Sequence, residues 1–136
     1  MNFTQLKQEI IQYSKTIGID KIGFTTASPF VELKARLIRQ QELAYQSGFE
    51  EHDLEKRTNP GLLMNEAASI LSIAVAYPSK MKERVVSKRG ERRGIFSRAS
   101  WGNDYHLVLR NRLKKLEAFI LEKVPDARCK SISSYT

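Results

Sequence analysis

Apolar residues at the start of the chain recur at helical spacing. Phe3, Leu6, Ile10, Tyr13 and Ile17 fall on one face of a helix predicted over residues 3–17. Asn2 has the side chain of an N-cap, and Gly18 has the freedom of a helix-stopping residue. The period then shortens to two. In Asp20-Lys21-Ile22-Gly23-Phe24-Thr25-Thr26, Ile22 and Phe24 alternate with small or polar neighbours, the pattern of a short strand. Ser28-Pro29 predicts a second helix, with Ser28 as cap and Pro29 in the first turn. Phe30, Leu33, Leu37 and Ala44 share its face, and Gly48 is the expected stop. Residues 49–60 are polar and close on the turn signal Asn59-Pro60-Gly61, with a short helical turn expected around residues 62–64.

The most apolar run is Ser69-Ile70-Leu71-Ser72-Ile73-Ala74-Val75-Ala76-Tyr77. It is short, rich in β-branched residues and closed by Pro78, which together predict a buried strand. Residues 79–103 change character and read as a long loop, with room for a strand near Gly94-Ile95-Phe96. A final helix is predicted over residues 104–123. Leu109, Leu113, Leu116 and Ile120 form its stripe, Phe119 widens it and Pro125 stops it. The tail from Cys129 onward is weakly patterned. The expected class is α+β, a small mixed sheet with flanking helices. Two strands do not make a stable sheet alone, so the pattern leaves the fold short of partners.

Composition adds limits. The 136 residues are 41% hydrophobic and 28% charged, ordinary for one soluble domain. No stretch approaches the roughly 18 apolar residues of a membrane span. The start lacks the layout of a signal peptide, so a cytoplasmic monomer with no membrane contact is the expectation. The single cysteine, Cys129, excludes an internal disulfide and any multi-cysteine metal or iron–sulfur site within these residues. Two histidines, His52 and His106, are too few and too far apart for a metal cage. The net charge of +8, with a pI of about 9.7, favours polyanionic partners.

Candidate chemistry concentrates in one stretch. The loop carries Lys80, Lys82, Arg84, Lys88, Arg89, Arg92, Arg93 and Arg98 against only Glu83 and Glu91. It fits a surface that contacts phosphates without reading bases, and from charge alone it equally fits a solvated loop. Residues 92–106 then gather arginines, aromatics, glycines and a histidine. Arginine offers a planar donor fork, Trp101 and Tyr105 offer flat faces, and glycines let a ligand approach the backbone. This suits a large flat polar cofactor or a nucleotide. The alternative is a solvated loop whose Trp101 plugs the core. His106 has the chemistry of an acid, a base or a hydrogen-bond donor, or serves structure alone, and Asp104 has the chemistry of a cap. Glu50, Glu51, Asp53 and Glu55, beside Lys56 and Arg57, read as a solvated polar face. No nucleotide-binding glycine signature or Ser-His-Asp set occurs.

Several of these stretches carry a resemblance. Asp20-Lys21-Ile22-Gly23-Phe24-Thr25, Phe49-Glu50, Glu55-Lys56-Arg57, Ala74-Val75-Ala76-Tyr77-Pro78 and Gly94-Ile95-Phe96-Ser97-Arg98-Ala99-Ser100-Trp101-Gly102 with Asp104-Tyr105-His106 resemble the N-terminal domain of bacterial epoxyqueuosine reductases. The likeness extends to about Lys130. It implies an enzyme that reduces the epoxide of epoxyqueuosine in tRNA to the alkene of queuosine. It also implies a cobalamin fed by two [4Fe–4S] clusters held in a following domain.

On that resemblance residues 1–130 are an incomplete cobalamin-side domain. Arg57, Ser97 and Arg98 lie near the cobalamin. Trp101, Tyr105 and His106 shape the cofactor or substrate pocket. Lys80, Lys82, Arg84, Lys88, Arg89, Arg92 and Arg93 face the tRNA. Three departures follow. Close relatives can carry cysteine at the position of Ser97. The family's proton-donating aspartate has its slot at Ser134, whose hydroxyl is a far weaker acid than a carboxyl. The cluster cysteines are missing, so the 136 residues alone are expected to be inactive. Residues 131–136 read as an aberrant tail, from a frameshift or premature stop or, less simply, a deliberately shortened chain. A stand-alone basic tRNA-binding module and a small cobalamin-binding protein are the rival readings.

Overall fold

The computed structural model describes residues 2–76, 80, 82–83, 86, 88–92, 94 and 96–133. The chain runs α1 (Phe3–Thr16), β1 (Lys21–Thr26), α2 (Val31–Glu42), α3 (Leu54–Thr58), a 3-10 turn (Pro60–Leu62), β2 (Ser69–Ala74), a second 3-10 turn (Arg98–Ser100) and α4 (Tyr105–Lys123). Its class is α+β. The sheet is two-stranded, β1 beside β2. The Asp20 amide donates to the Ala74 carbonyl at 3.0 Å, and the Ala27 amide to the Ala68 carbonyl at 3.1 Å. Residue numbers rise on one strand as they fall on the other, so the pair is antiparallel. This corrects the expected mixed sheet, because parallel pairing needs a further strand and none occurs among the described residues.

The chain divides into two compact units, residues 1–22 with 73–136, and residues 23–72. In the first, α1 packs on α4. Ile10, Ile17, Ile19 and Leu116 are buried, and the Tyr13 and Phe119 rings stack at 4.1 Å and 8°. The Ser14 hydroxyl is buried here too, and it donates to the Ile11 carbonyl at 2.8 Å. The Asn2 side chain accepts from the Thr4 and Gln5 amides, as its cap chemistry predicts. At the other end Gly18, at φ +79°, donates to the Lys15 carbonyl, and Ile19 reaches back to Ser14 at 2.9 Å. This paired closure satisfies carbonyls the helix leaves open, and it requires a left-handed residue at position 18.

In the second unit α2 packs on α3. Here the sequence expectation needs correction. Ser28 does not cap α2. The helix begins two residues beyond Pro29, at Val31, where the Phe30 amide donates to the distant Thr58 carbonyl at 2.8 Å. The stop comes early as well. Leu43 caps the helix and Ala44 turns left-handed at φ 55°, so Ala44 is not on the helix face and Gly48 is not its stop. Residues 49–60 hide α3, capped by the Asp53 carboxylate on the Glu55 and Lys56 amides. The Asn59 side chain caps the following 3-10 turn, which starts two residues before the expected one.

β2 is shorter than its apolar run and none of its residues is buried. A two-stranded sheet covers each strand along one edge only, so apolarity by itself does not bury it. Tyr77, Pro78 and Ile95 lie outside the described residues, while Gly94 and Phe96 belong to no strand. α4 follows its prediction closely: Asp104 is the cap, Leu116 is buried, and Leu109, Leu113, Phe119 and Ile120 are half-buried.

Candidate functional site

Within the chemistry-rich stretch, a 3-10 turn at Arg98–Ser100 precedes α4. The Ser100 amide donates to the Ser97 carbonyl at 2.9 Å, and the Trp101 amide to the Arg98 carbonyl at 3.1 Å. The indole N–H of Trp101 reaches back to the Phe96 carbonyl at 3.1 Å. Trp101 is half-buried, so it braces its own loop instead of plugging the core. With Nε1 occupied, the ring offers its faces for contact. Gly102 follows at φ +84°, a conformation that favours glycine, and open space surrounds the position its Cβ would take.

Asp104 then does two things with one oxygen. Oδ1 accepts the His106 backbone amide at 2.9 Å and lies 3.0 Å from the His106 ring Nδ1. These two hydrogen bonds, the backbone one first, hold the Asp104 carboxyl below its usual range. A carboxylate only accepts, so Nδ1 carries the proton. The Tyr105 ring stacks on the imidazole at 4.0 Å and 29°. Trp101, Tyr105 and His106 are each half-buried, with Tyr105 and His106 held together, and Ser97 and Arg98 are exposed.

The other predicted positions fall differently. Arg57 lies half-buried in the second unit, near the end of α3, with its amide bonded to the Asp53 carbonyl at 3.2 Å. Lys80, Lys82, Lys88, Arg89 and Arg92 are exposed. Lys88 and Arg89 occupy a turn through Gly90, at φ +88°, closed by the Glu91 amide on the Lys88 carbonyl at 3.1 Å. Arg84, Arg93 and Ser134 lie outside the described residues. No group of three metal-ligating side chains occurs among the described residues.

The acidic cluster works locally. Glu50 accepts the Ser47 and Gly48 amides at 2.9 Å each, and these bonds, Ser47 first, lower its pKa to about 2. Glu51 accepts the Asp53 amide at 3.1 Å, and Glu55 pairs with Lys34. Sequence reading missed these clamps, although Ser47-Gly48 two residues before a glutamate is a legible turn signal. It also missed Arg112, an arginine on the packed side of α4 whose environment only the fold reveals.

Comparison with known proteins decides the relationship. Residues 57–133, more than half of the chain, match the family model described as "Epoxyqueuosine reductase QueG, DUF1730". The chain belongs to the epoxyqueuosine reductase family. The epoxyqueuosine reductase of Bacillus anthracis is 70% identical over 132 residues, covering 97% of this chain and 35% of that protein. That of Bacillus subtilis is 60% identical over 132 residues, covering 97% and 34%. A solved Bacillus subtilis epoxyqueuosine reductase, its catalytic aspartate loop swung out of the active site, aligns with a TM-score of 0.86 at 60% identity. It is matched over 96% of this chain and 35% of its own. A crystal structure of epoxyqueuosine reductase with an epoxyqueuosine-modified tRNA-Tyr stem loop also aligns at 0.86, with 59% identity, over 98% and 35%. The chain thus spans about a third of the length of the curated relatives it matches, and it corresponds to their N-terminal region. The resemblance carried by the sequence motifs is borne out, and the stand-alone rivals are not favoured.

Proposed function

We propose that this chain provides the cofactor-side and tRNA-side surfaces of an epoxyqueuosine reductase, and that the 136 residues alone do not turn over substrate. The observation that carries the reading is the 70% identity over 132 residues to an enzyme of that name. The folded Ser97–His106 stretch adds support, because it offers the chemistry the activity needs.

The residues suit a cobalamin. The space beside Gly94 and Gly102 is open, which lets a broad ring approach the backbone. Ser97 and Arg98 are exposed donors and would hold the cofactor's polar periphery. Cobalamin bound there would supply reducing chemistry toward the epoxide. Of the chain's own residues, Trp101 and Tyr105 would offer flat walls, and Asp104 fixes the orientation and tautomer of His106. An iron–sulfur cluster does not fit, since Cys129 is the one thiol in the sequence. The proton for the departing oxygen needs a stronger acid than the Ser134 hydroxyl.

For the partner, the modified tRNA stem loop seen with a related reductase supports tRNA. The exposed Lys80, Lys82, Lys88, Arg89 and Arg92, with Arg84 and Arg93 in the same stretch of sequence, suit phosphate contact. A cytoplasmic setting agrees with that partner.

Titrating cob(II)alamin into the purified chain tests the cofactor assignment. A saturable change in the visible spectrum, weakened by Arg98→Ala, is expected. Epoxyqueuosine-containing tRNA incubated with reductant and the chain should remain unreduced. Absence of any spectral change would remove the cofactor assignment, and measurable turnover would overturn the inactivity.

A further inference from the structure

Arg112 is on the packed side of α4, and no ion pair of its guanidinium occurs among the described residues. The guanidinium lies against Gly18, where a Cβ would stand 3.0 Å from Nη2 and 3.2 Å from Cζ. Its Nε is buried and meets no hydrogen-bond acceptor among the described residues. A desolvated donor left unmade costs about 1–3 kcal/mol, and more when it is charged. A fold retains such a group most readily when an acceptor arrives from outside.

Three carboxylates of the same unit are committed elsewhere. Asp20, two residues beyond Gly18, accepts the Ala76 amide at 2.8 Å. Glu9 pairs with Lys123 at 3.1 Å, and Glu117 accepts the Ser131 hydroxyl at 2.9 Å. The cations near Arg112 have the same sign. Lys15 lies in the last turn of α1, three residues before Gly18, and Lys115 lies one turn along α4 from Arg112; both are exposed. The unit as a whole carries 18 Lys and Arg against 8 Asp and Glu, a net +10. A planar fork among like charges is suited to a phosphate, which it can bind through two parallel N–H donors.

We propose that Arg112, seated on Gly18 with Lys15 and Lys115 a turn away, receives a backbone phosphate of the tRNA, separately from the basic loop. The site rests on the tRNA reading and deepens it. Gly18 then has two duties: it closes α1, and its missing side chain makes the seat on which the arginine lies.

The test is binding of a labelled tRNA anticodon stem loop to the chain across a potassium chloride series. Arg112→Gln should weaken binding about 3- to 10-fold and lower the slope of log K against log salt by about one. Arg112→Lys should keep the slope but lose part of the affinity, because charge survives and the fork does not. Lys15→Gln with Lys115→Gln alters only exposed side chains, so the same trend in this variant is free of folding effects. If these variants bind like the parent while Lys88→Gln with Arg89→Gln weakens binding, the Arg112 site is wrong and the tRNA reading survives. If the parent chain fails to bind the stem loop at low salt, both fall.

Discussion

The two compact units use their side chains in opposite ways. The first, residues 1–22 with 73–136, is held by apolar contact between helices: buried Ile10, Ile17, Ile19 and Leu116, and the Tyr13–Phe119 stack. Its charges are unbalanced, 18 Lys and Arg against 8 Asp and Glu, a net +10. The second, residues 23–72, has 5 Lys and Arg against 7 Asp and Glu, a net −2, and buries only Ala27, Leu37 and Thr58. There carboxylates organise the backbone: Glu50 on a turn, Asp53 on a helix start, Glu55 on Lys34. The contrast teaches that the overall charge of +8 is not a property of the whole surface. The positive excess belongs to the unit with the stronger apolar core.

Core truncation breaks this comparison most severely. Leu116→Ala removes a side chain only 3% exposed, and large-to-small core changes of this kind cost about 2–5 kcal/mol. Urea unfolding followed by Trp101 fluorescence should register it, whereas Leu62→Ala in the second unit, 58% exposed, should stay within about 0.5 kcal/mol. Equal effects from the two would show that the units do not differ as described.

A smaller effect is expected at the α1 terminus. Gly18→Ala forces a side chain into φ +79° and against the Arg112 guanidinium, so it should destabilise by about 1–2 kcal/mol. Gly48→Ala, also left-handed but with open space around it, should cost about 1 kcal/mol from backbone strain alone. A thermal melt that ranks them in reverse would argue against the arginine seat.

In the second unit Asp53→Ala deletes the α3 cap, and about 1 kcal/mol should go with it. The loss should appear as faster hydrogen exchange at the Glu55 and Lys56 amides. Exchange in α1 should be unaffected.

The mildest probe is acid. Glu50 has a folded pKa of about 2 against an ordinary 4.5, so its clamp contributes most above the higher figure and is lost as pH falls through the lower one. At pH 3 the Ser47 and Gly48 amides should remain protected relative to a Glu50→Gln variant. Early loss of protection, near pH 4.5, would mean that the turn does not depend on the carboxylate.

Helix periodicity was legible wherever a cap and a stop framed it. Asn2, Gly18 and Asp104 mark real helix ends, because each satisfies its neighbours' backbone groups locally. The errors fall where a distant group decides. The α2 start follows the Thr58 carbonyl that takes the Phe30 amide, and no local signal at Ser28-Pro29 reports that. α3 was hidden because five residues show no period, although Asp53 was a readable cap. The residues of the candidate site were legible as a cluster of types. Their geometry was not, because the Trp101 bond to the Phe96 carbonyl and the Asp104 hold on His106 are properties of a folded loop.

Family membership, the lack of cluster thiols and the excess of positive charge follow from residue identity, which no fold alters. The tertiary structure decided which unit carries that charge and which carboxylates are already engaged. It also decided that the Nε of one arginine lies buried beside a glycine. The physical reason is that hydrogen bonding and desolvation depend on which groups meet in space, and Gly18 meets Arg112 only when α1 packs on α4.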